Sequence, residues 1–272
     1  MSDIHALGID VGSTNTKVAL IDLTSTAVSP RAAAVATERT PADADGLVAC
    51  VVRLVSEVVP PGVWPHAVGI ASMAETGVPL DRSGTPLMEL VRWDGHRAGA
   101  EASALSQNFG REALFAATGV RPSAKVPLAT WAWLRAAHPE VMARMAYWAG
   151  AADLVALALT GELVTDHTLA GRTMAYRTPG AGGLGAGGAS PAMAGEFDAD
   201  LLAAVGLTPG QLPRVAGPTE LSGHVGGAGG GRLPGLPAVG DHWADAREAF
   251  VRAGVSRRTP VVIAGHDHAV GA

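Results

Sequence analysis

Leu7-Gly8-Ile9-Asp10-Val11-Gly12-Ser13-Thr14-Asn15-Thr16-Lys17-Val18-Ala19-Leu20-Ile21-Asp22 is the stretch from which the rest of the chain can be read. Two apolar runs flank a Gly/Ser/Thr/Asn tip, and that turn chemistry predicts a strand, a tight reversal and a second strand. Asp10 stands where the first run ends, Gly12 follows, and Lys17 enters the second run. Two readings of the tip are open. In one it is an ordinary hairpin whose Asp10 caps its own turn. In the other, Gly12 lets backbone approach a ligand. Successive N–H groups from Gly12 through Ser13, Thr14 and Asn15, with the Ser and Thr hydroxyls, then form an anion site. Asp10 beside them would hold Mg²⁺ through water. The stretch is neither a Gly-x-Gly-x-x-Gly fingerprint opening a helix nor a Walker A loop.

The 272 residues suffice for one large domain or two small ones around a real hydrophobic core. With 48% apolar and 17% charged residues the composition is that of a globular protein. A formal net charge of −5 advertises no polyanion-binding surface, so nucleic acid is not an expected partner. The single Cys50 excludes an intramolecular disulfide, points to a reducing compartment, and sits in an apolar run as a small hydrophobe. Residues 1–5 are polar with no long apolar run behind them, so no signal peptide is expected. Residues 146–159 form the most membrane-like stretch, but it is short, interrupted by Gly150 and carries Asp153; it reads as a buried helix. The expectation is a soluble cytoplasmic protein with no membrane partner.

Working outward, residues 27–37 read as a third strand that Pro30 makes irregular or an edge. Residues 43–59 show helical spacing of apolar residues, with acids at the start and Pro60-Pro61 at the end. Residues 67–71 read as a further strand. The order β-β-β-α-β is the half-domain unit of a ribonuclease H-like α/β fold, a mixed sheet with helices on its faces. Residues 78–87 suggest a second hairpin about Asp81-Arg82-Ser83-Gly84. Helices are expected over 97–107, 112–118, 128–137, 139–145 and 151–159, with a loop at 123–127. Residues 180–188 and 226–231 are Gly-rich and expected to be flexible. A helix over 242–253, with Asp241 a candidate cap, precedes a strand over 259–264 and the turn Gly265-His266-Asp267-His268.

The opening hairpin is similar to the first phosphate loop of the actin/hexokinase/Hsp70 ATPase superfamily. Further stretches narrow this: Gly69-Ile70-Ala71-Ser72-Met73-Ala74-Glu75-Thr76-Gly77, Val91-Arg92-Trp93-Asp94-Gly95-His96-Arg97, Leu159-Thr160-Gly161 through Asp166 to Arg172-Thr173-Met174, and Gly265 to Ala272. Taken in order, they resemble the N-terminal half of the FGGY carbohydrate kinases, the family of glycerol kinase, xylulokinase and gluconokinase. The resemblance implies an actin-like ATPase fold with helices on both faces of the sheet. Residues 1–272 would be the sugar-binding domain, with a helical insertion at about 97–175 and flexible Gly-rich loops at about 180–195 and 226–236. It implies ATP and Mg²⁺ as cofactors, a sugar or polyol as substrate, and a C-terminal ATP-binding domain, absent from this sequence, supplied in cis or in trans. Relatives form dimers, so a homodimer is a further expectation. The alternative is a non-catalytic sugar-binding or regulatory module that has lost its ATP-binding half.

Individual roles follow from the same resemblance. Asp267 matches the general base that accepts the proton of the hydroxyl being phosphorylated, assistance worth roughly 10²–10⁴-fold. Asp10 matches the acid facing metal and phosphates; Gly12, Ser13, Thr14 and Asn15 match the loop near the γ-phosphate. Lys17 occupies a position often basic in the family, or is simply a solvated side chain. Glu75 matches an acid used on polyol hydroxyls, but the basic neighbour of that acid is Ala74 here, which removes a bidentate clamp. Met73 and Ala74 make this wall smaller and more apolar, suited to a larger or deoxygenated sugar. Trp93 matches an aromatic that packs on the substrate's apolar face, or else fills core or an interface. Asp94, His96 and Arg97 are secondary candidates for the same pocket. Asp166 and Arg172 are expected to be structural, around a capped helix start. His266 and His268 lack the spacing of a helical zinc motif; His268, directly after the base, is the better candidate for touching substrate.

Overall fold

The structure, a computed structural model, describes residues 4–24, 31–93, 96–178, 195–217, 220–227 and 239–270. The chain runs through β1 (His5–Val11), β2 (Asn15–Asp22), β3 (Arg31–Arg39), α1 (Ala44–Val58), β4 (Ala67–Ser72) and β5 (Gly77–Leu80). Then come α2 (Gly99–Phe109), α3 (Arg111–Thr118), α4 (Pro127–Ala137), α5 (Pro139–Arg144), β6 (Tyr147–Gly150), α6 (Ala151–Thr160), β7 (Val164–Asp166) and α7 (His167–Gly171). The remainder is α8 (Ala199–Ala204), β8 (Arg214–Ala216), β9 (Gly223–His224), α9 (Ala244–Arg252), β10 (Pro260–His266) and α10 (Asp267–Val270).

Six strands form the main sheet in the order β3-β2-β1-β4-β10-β9. β1, β4 and β10 are parallel neighbours, while β2, β3 and β9 run antiparallel to the strands beside them. Alternation along the strands sets the faces. Leu7, Ile9 and Val11 stand level with Val68, Ile70 and Ser72, all buried, while Gly8 and Asp10 point the other way and stay half-buried. The buried face packs with α1, α6 and α9 into one core. α1 begins with Asp43 capping the Gly46 N–H, and its Leu47, Cys50, Val51, Leu54 and Val58 face that core. Every residue of α6 is buried, which is why its sequence is apolar on all sides apart from Asp153 and Thr160.

A second core gathers α2, α3, α4 and α8 around Trp131, Leu134 and Leu201. β6 joins the two: Trp148 packs into the helical core and its neighbour Ala149 into the sheet core. Gly77, paired with Gly150, lies so close to the Trp148 ring that a Cβ would stand 2.5 Å from it.

Several expectations need correction. Residues 78–87 do turn at Asp81, whose carboxylate accepts from the N–H groups of Ser83 and Thr85. The reversal is a short hairpin, with one antiparallel Leu80–Pro86 bridge flanked by hydrogen bonds from Asp81 N–H to the Thr85 carbonyl and Leu87 N–H to the Pro79 carbonyl, and the longer ladder of β5 is with β6. The apolar stretch 146–159 divides into β6 and α6, because Gly150 ends an extended segment at the helix start. The insertion at 97–175 therefore carries β6 and β7 as well as helices. Asp241 does not cap α9, whose N-cap is Trp243; its carboxylate pairs with Arg247. Of the expected third strand, residues 27–30 lie outside the described residues, as do 180–194 and 228–236 of the Gly-rich loops. Of the second Gly-rich loop, Gly226 is described and adopts a left-handed φ of +76° beside Arg257. Among the described residues no helix is long and apolar enough to cross a membrane.

Leu154, wholly buried in α6, tests the sheet core. Leu154→Ala should lower unfolding free energy by about 2–5 kcal/mol in urea denaturation.

Candidate functional site at the carboxyl ends of β1, β4 and β10

The three parallel strands end together. Val11 pairs with Ser72, and Ser72 with His266, so the residues following each strand emerge along one sheet edge. Between Ile263 and Gly265 the ladder slips by one residue. Such a bulge reverses the facing of everything after it. Gly265 consequently shares a row with Ala71 and Asp10, and Asp267, two residues on, leaves the strand on Asp10's side of the sheet. The two carboxylates are close enough for the Asp267 charge to raise the pKa of Asp10. Partial burial raises it more, and the Lys17 ammonium, 3.9 Å from Asp10 Oδ2, opposes both. Asp10 Oδ1 is shielded from solvent and meets no hydrogen-bond donor among the described residues. Two neighbouring carboxylates, one with an unsatisfied oxygen, are a donor set that suits a hard, oxygen-seeking divalent cation.

The hairpin tip is held from outside. Gly12 donates its N–H to the Asn15 carbonyl, and a Cβ at Gly12 would lie 2.7 Å from that oxygen, so the close turn requires glycine. That hydrogen bond commits the Gly12 N–H to the turn itself. Thr40 closes the base: its hydroxyl donates to the Gly12 carbonyl at 2.8 Å and its N–H to the Thr14 carbonyl at 3.0 Å. Arg92 spans both parts, reaching the carbonyls of Ser13, Thr40 and Pro41. Ser13, Thr14 and Asn15 remain exposed at the tip. Lys17 is exposed to solvent and at the same time stands in ion-pair range of Asp10.

The Asp267 turn is braced in turn by α7. Asp166 Oδ1 accepts from the N–H groups of Thr168 and Leu169 and from the Thr168 hydroxyl, and the hydroxyl oxygen accepts the His266 N–H at 2.9 Å. Gly265 adopts φ +122°, and a Cβ there would sit 2.6 Å from Thr168 Oγ1. Asp267 Oδ1 accepts the His268 N–H at 2.8 Å and lies 3.1 Å from His266 Nε2.

On the adjoining wall, Met73 and Ala74 are buried and Glu75 is held at φ +61°. Arg172 donates both Nε and Nη2 to Glu75 Oε1. Arg172 thus brings a guanidinium to Glu75 from α7's end, which the sequence did not disclose. Behind this wall lies a cavity of about 40 Å³ lined by Met73, Glu75, Thr76, Trp131, Trp148 and Asp153. A volume that size holds a few waters or one small substituent, not a sugar ring. Asp153 accepts the Gly150 N–H at 2.7 Å through Oδ2, while burial lifts its pKa from 3.8 to about 7 against the pull of the Thr165 hydroxyl.

The remaining candidates divide. The antiparallel Val91–Gly77 bridge brings the segment leading to Trp93 alongside the one leading back to Glu75. Trp93 is 47% exposed, and Lys125 Nζ lies 4.0 Å from its ring centroid, so it is not core filling. Arg97 turns to the Trp133 ring and the Arg92 carbonyl. Asp94 lies outside the described residues. Sequence reading missed Thr40, Arg92 and Thr168 as braces and Asp153 as a perturbed acid. Only Thr168 left a signal, the Asp-x-Thr spacing of a capped turn.

The model of the FGGY family of carbohydrate kinases, N-terminal domain, matches residues 5–179. The chain is 29% identical over 160 residues to a xylulose kinase of Streptomyces coelicolor, covering 58% of this chain and 30% of that protein. It is 24% identical over 176 residues to an L-fuculokinase of Haemophilus influenzae, covering 63% and 34%. Among solved structures, a xylulose kinase from Rhodospirillum rubrum superposes with a TM-score of 0.76 at 21% identity, covering 97% of this chain and 49% of that one. A gluconate kinase from Lactobacillus acidophilus gives 0.75 at 20% identity, covering 98% and 48%. The fold is therefore that of these kinases, and the chain spans about a third of the curated relatives and half of the solved ones.

Two outcomes test this geometry. Gly265→Ala should cost about 1–3 kcal/mol in urea denaturation, from the disfavoured φ and the clash with Thr168, and should shift the Thr168 and His266 amide resonances. For Asp153 the folded pKa lies above the unfolded one, so its contribution to stability is complete below pH 3.8 and is lost as pH rises through about 7. Asp153→Asn removes that dependence while keeping a carbonyl for Gly150. Its stability relative to the parent should rise with pH between those values, by at most about 4 kcal/mol, in denaturation series at stepped pH.

Proposed function

The chain belongs to the FGGY family of carbohydrate kinases, and from that premise we propose that it is the sugar-binding half of an ATP-dependent kinase acting in the cytoplasm on a sugar or polyol hydroxyl. The observation that carries this reading is the convergence of Asp10 and Asp267 at one sheet edge from opposite ends of the chain. A carboxylate is needed there because an alcohol holds its proton too tightly to attack phosphorus unaided. Asp267 accepts the proton as the oxygen–phosphorus bond forms. Its lone pairs are oriented by the His268 N–H and the braced turn, so the acceptor need not be found by rotation.

ATP with Mg²⁺, when bound, supplies the phosphoryl group and neutralises its charge. Asp10 is the residue that would hold the metal, with Lys17 and the exposed Ser13, Thr14 and Asn15 tip toward the phosphates. The ATP-binding lobe comes from further chain, joined in cis or docked in trans. Trp93 offers its exposed face to the sugar, Met73 and Ala74 form an apolar wall, and Glu75, steadied by Arg172, accepts from a sugar hydroxyl. His268, exposed beside the base, is the remaining hydroxyl contact. The small cavity behind Glu75 has room for one substituent of the sugar, which favours a substrate with a compact apolar end.

The test is a coupled ADP-release assay on the protein supplied with its ATP-binding lobe, across pentuloses, deoxysugars, polyols and aldonates. At least one class should turn over. Asp267→Asn should then lower kcat by roughly 10²–10⁴-fold while sugar binding, followed by calorimetry, stays within a few-fold. Binding without turnover, indifferent to Asp267→Asn, would instead identify a sugar-binding module.

A further inference from the structure

The Asp267 turn carries more ligating chemistry than a base requires. His266, Asp267 and His268 each present a metal-competent atom, and the three atoms all lie within 4.8 Å of one another. His266 Nε2 and the Asp267 carboxylate are already 3.1 Å apart, close to the spacing of two ligands on one tetrahedral ion. At bond lengths of about 2.0–2.1 Å, tetrahedral ligands stand roughly 3.3 Å apart. The third ligand has the freedom to close the gap: His268 is exposed, and its ring is tilted 43° to the His266 ring at a centroid distance of 5.0 Å. The turn's backbone, by contrast, is fixed by the Thr168 hydroxyl on the His266 N–H.

From this arrangement we infer that the turn is a binding site for a borderline-soft transition metal, zinc foremost, which shares Asp267 with the hard-cation donor set of Asp10 and Asp267 but replaces oxygen with two imidazole nitrogens. Two imidazoles and one carboxylate form a set that zinc accepts with three protein ligands and one open position. Magnesium prefers oxygen and retains its waters, so it does not compete effectively for two imidazole nitrogens. Water fills the fourth position from the exposed side. The functional consequence rests on the reading of Asp267 as the base. A carboxylate whose lone pairs bind zinc cannot accept a hydroxyl proton, so zinc occupancy and catalysis exclude one another. The site is thereby a point of inhibition by free zinc.

The experiment is titration of the full chain with ZnCl₂ by calorimetry, and with CoCl₂ followed by visible d–d absorption, in an excess of MgCl₂. One equivalent should bind, with cobalt giving the intense bands of tetrahedral coordination. His266→Ala and His268→Ala should each weaken binding at least about tenfold, while His66→Ala and His242→Ala, remote histidines, leave it unchanged. Far-UV circular dichroism checks that each variant folds, and His268→Asn offers a second, less disruptive removal of the exposed ligand. No binding by the parent chain, octahedral cobalt spectra, or binding indifferent to both His266 and His268 would overturn the site. The readout is metal binding, so the site stands or falls by it even in a chain that transfers no phosphoryl group.

Discussion

A one-residue slip in a β-ladder sets the chemistry of this molecule. Strand faces alternate with period two, so a strand feeding straight out of the β10–β4 pairing would send Asp267 to the core side of the sheet. The extra residue between Ile263 and Gly265 reverses that facing, and the carboxylate emerges in line with Asp10. The slip is costly in isolation, since it interrupts a ladder and forces Gly265 to φ +122°. It persists because the Thr168 hydroxyl of α7, itself donating to Asp166 Oδ1, accepts the His266 N–H where the strand bends. The Asp166 side chain caps a helix and aims a turn at once, which accounts for a nearly buried carboxylate at that place.

Comparable bracing recurs around the rest of the edge. Arg92 binds three carbonyls from two separate segments and so ties the hairpin tip to the segment that leads into α1. Thr40 adds its hydroxyl and N–H to the same junction. Met73 donates its N–H to the Val11 carbonyl, tying the β4 exit to the β1 exit. The site is assembled from strand ends whose positions are fixed by the sheet, with loops that are short and cross-linked. That is the arrangement expected where reacting groups must be held within a fraction of an ångström.

Much of this is legible in the residues alone, and the reasons are physical. β1, β2, α1 and β4 are readable because each satisfies a local rule: alternating burial, turn residues at the tip, a capping Asp43 and a Pro-Pro stop. Asp10 and Asp267 can be named because the motifs carrying them are local. What fails is non-local. The main ladder partner of β5 is β6, far along the chain, whereas the local turn at Asp81 closes only the short hairpin that the residues announce. Residues 146–159 are almost all apolar because β6 is largely and α6 wholly buried, and burial on every side erases the periodicity that separates strand from helix. Arg92 and Thr40 are ordinary residues in ordinary stretches; only the tertiary contacts give them work.

Arg172 bears on substrate as well as structure. The residue before Glu75 is Ala74, and on sequence grounds that substitution strips the acid of a cationic neighbour. The fold supplies one from another element instead, so the carboxylate is neutralised from behind rather than from beside. Charge compensation is retained, yet the geometry differs: both Arg172 donors converge on Oε1, and Oε2 is not spent on them. A guanidinium adjacent in sequence would lie in the pocket and offer its own donors to substrate. One arriving from α7's end is occupied with Glu75 and leaves the space beside Ala74 to apolar surface. Around Glu75 the fold therefore keeps one carboxylate oxygen unspent on Arg172 and exchanges a donor for room beside Ala74, and the proposed preference for a less hydroxylated substrate rests on that exchange.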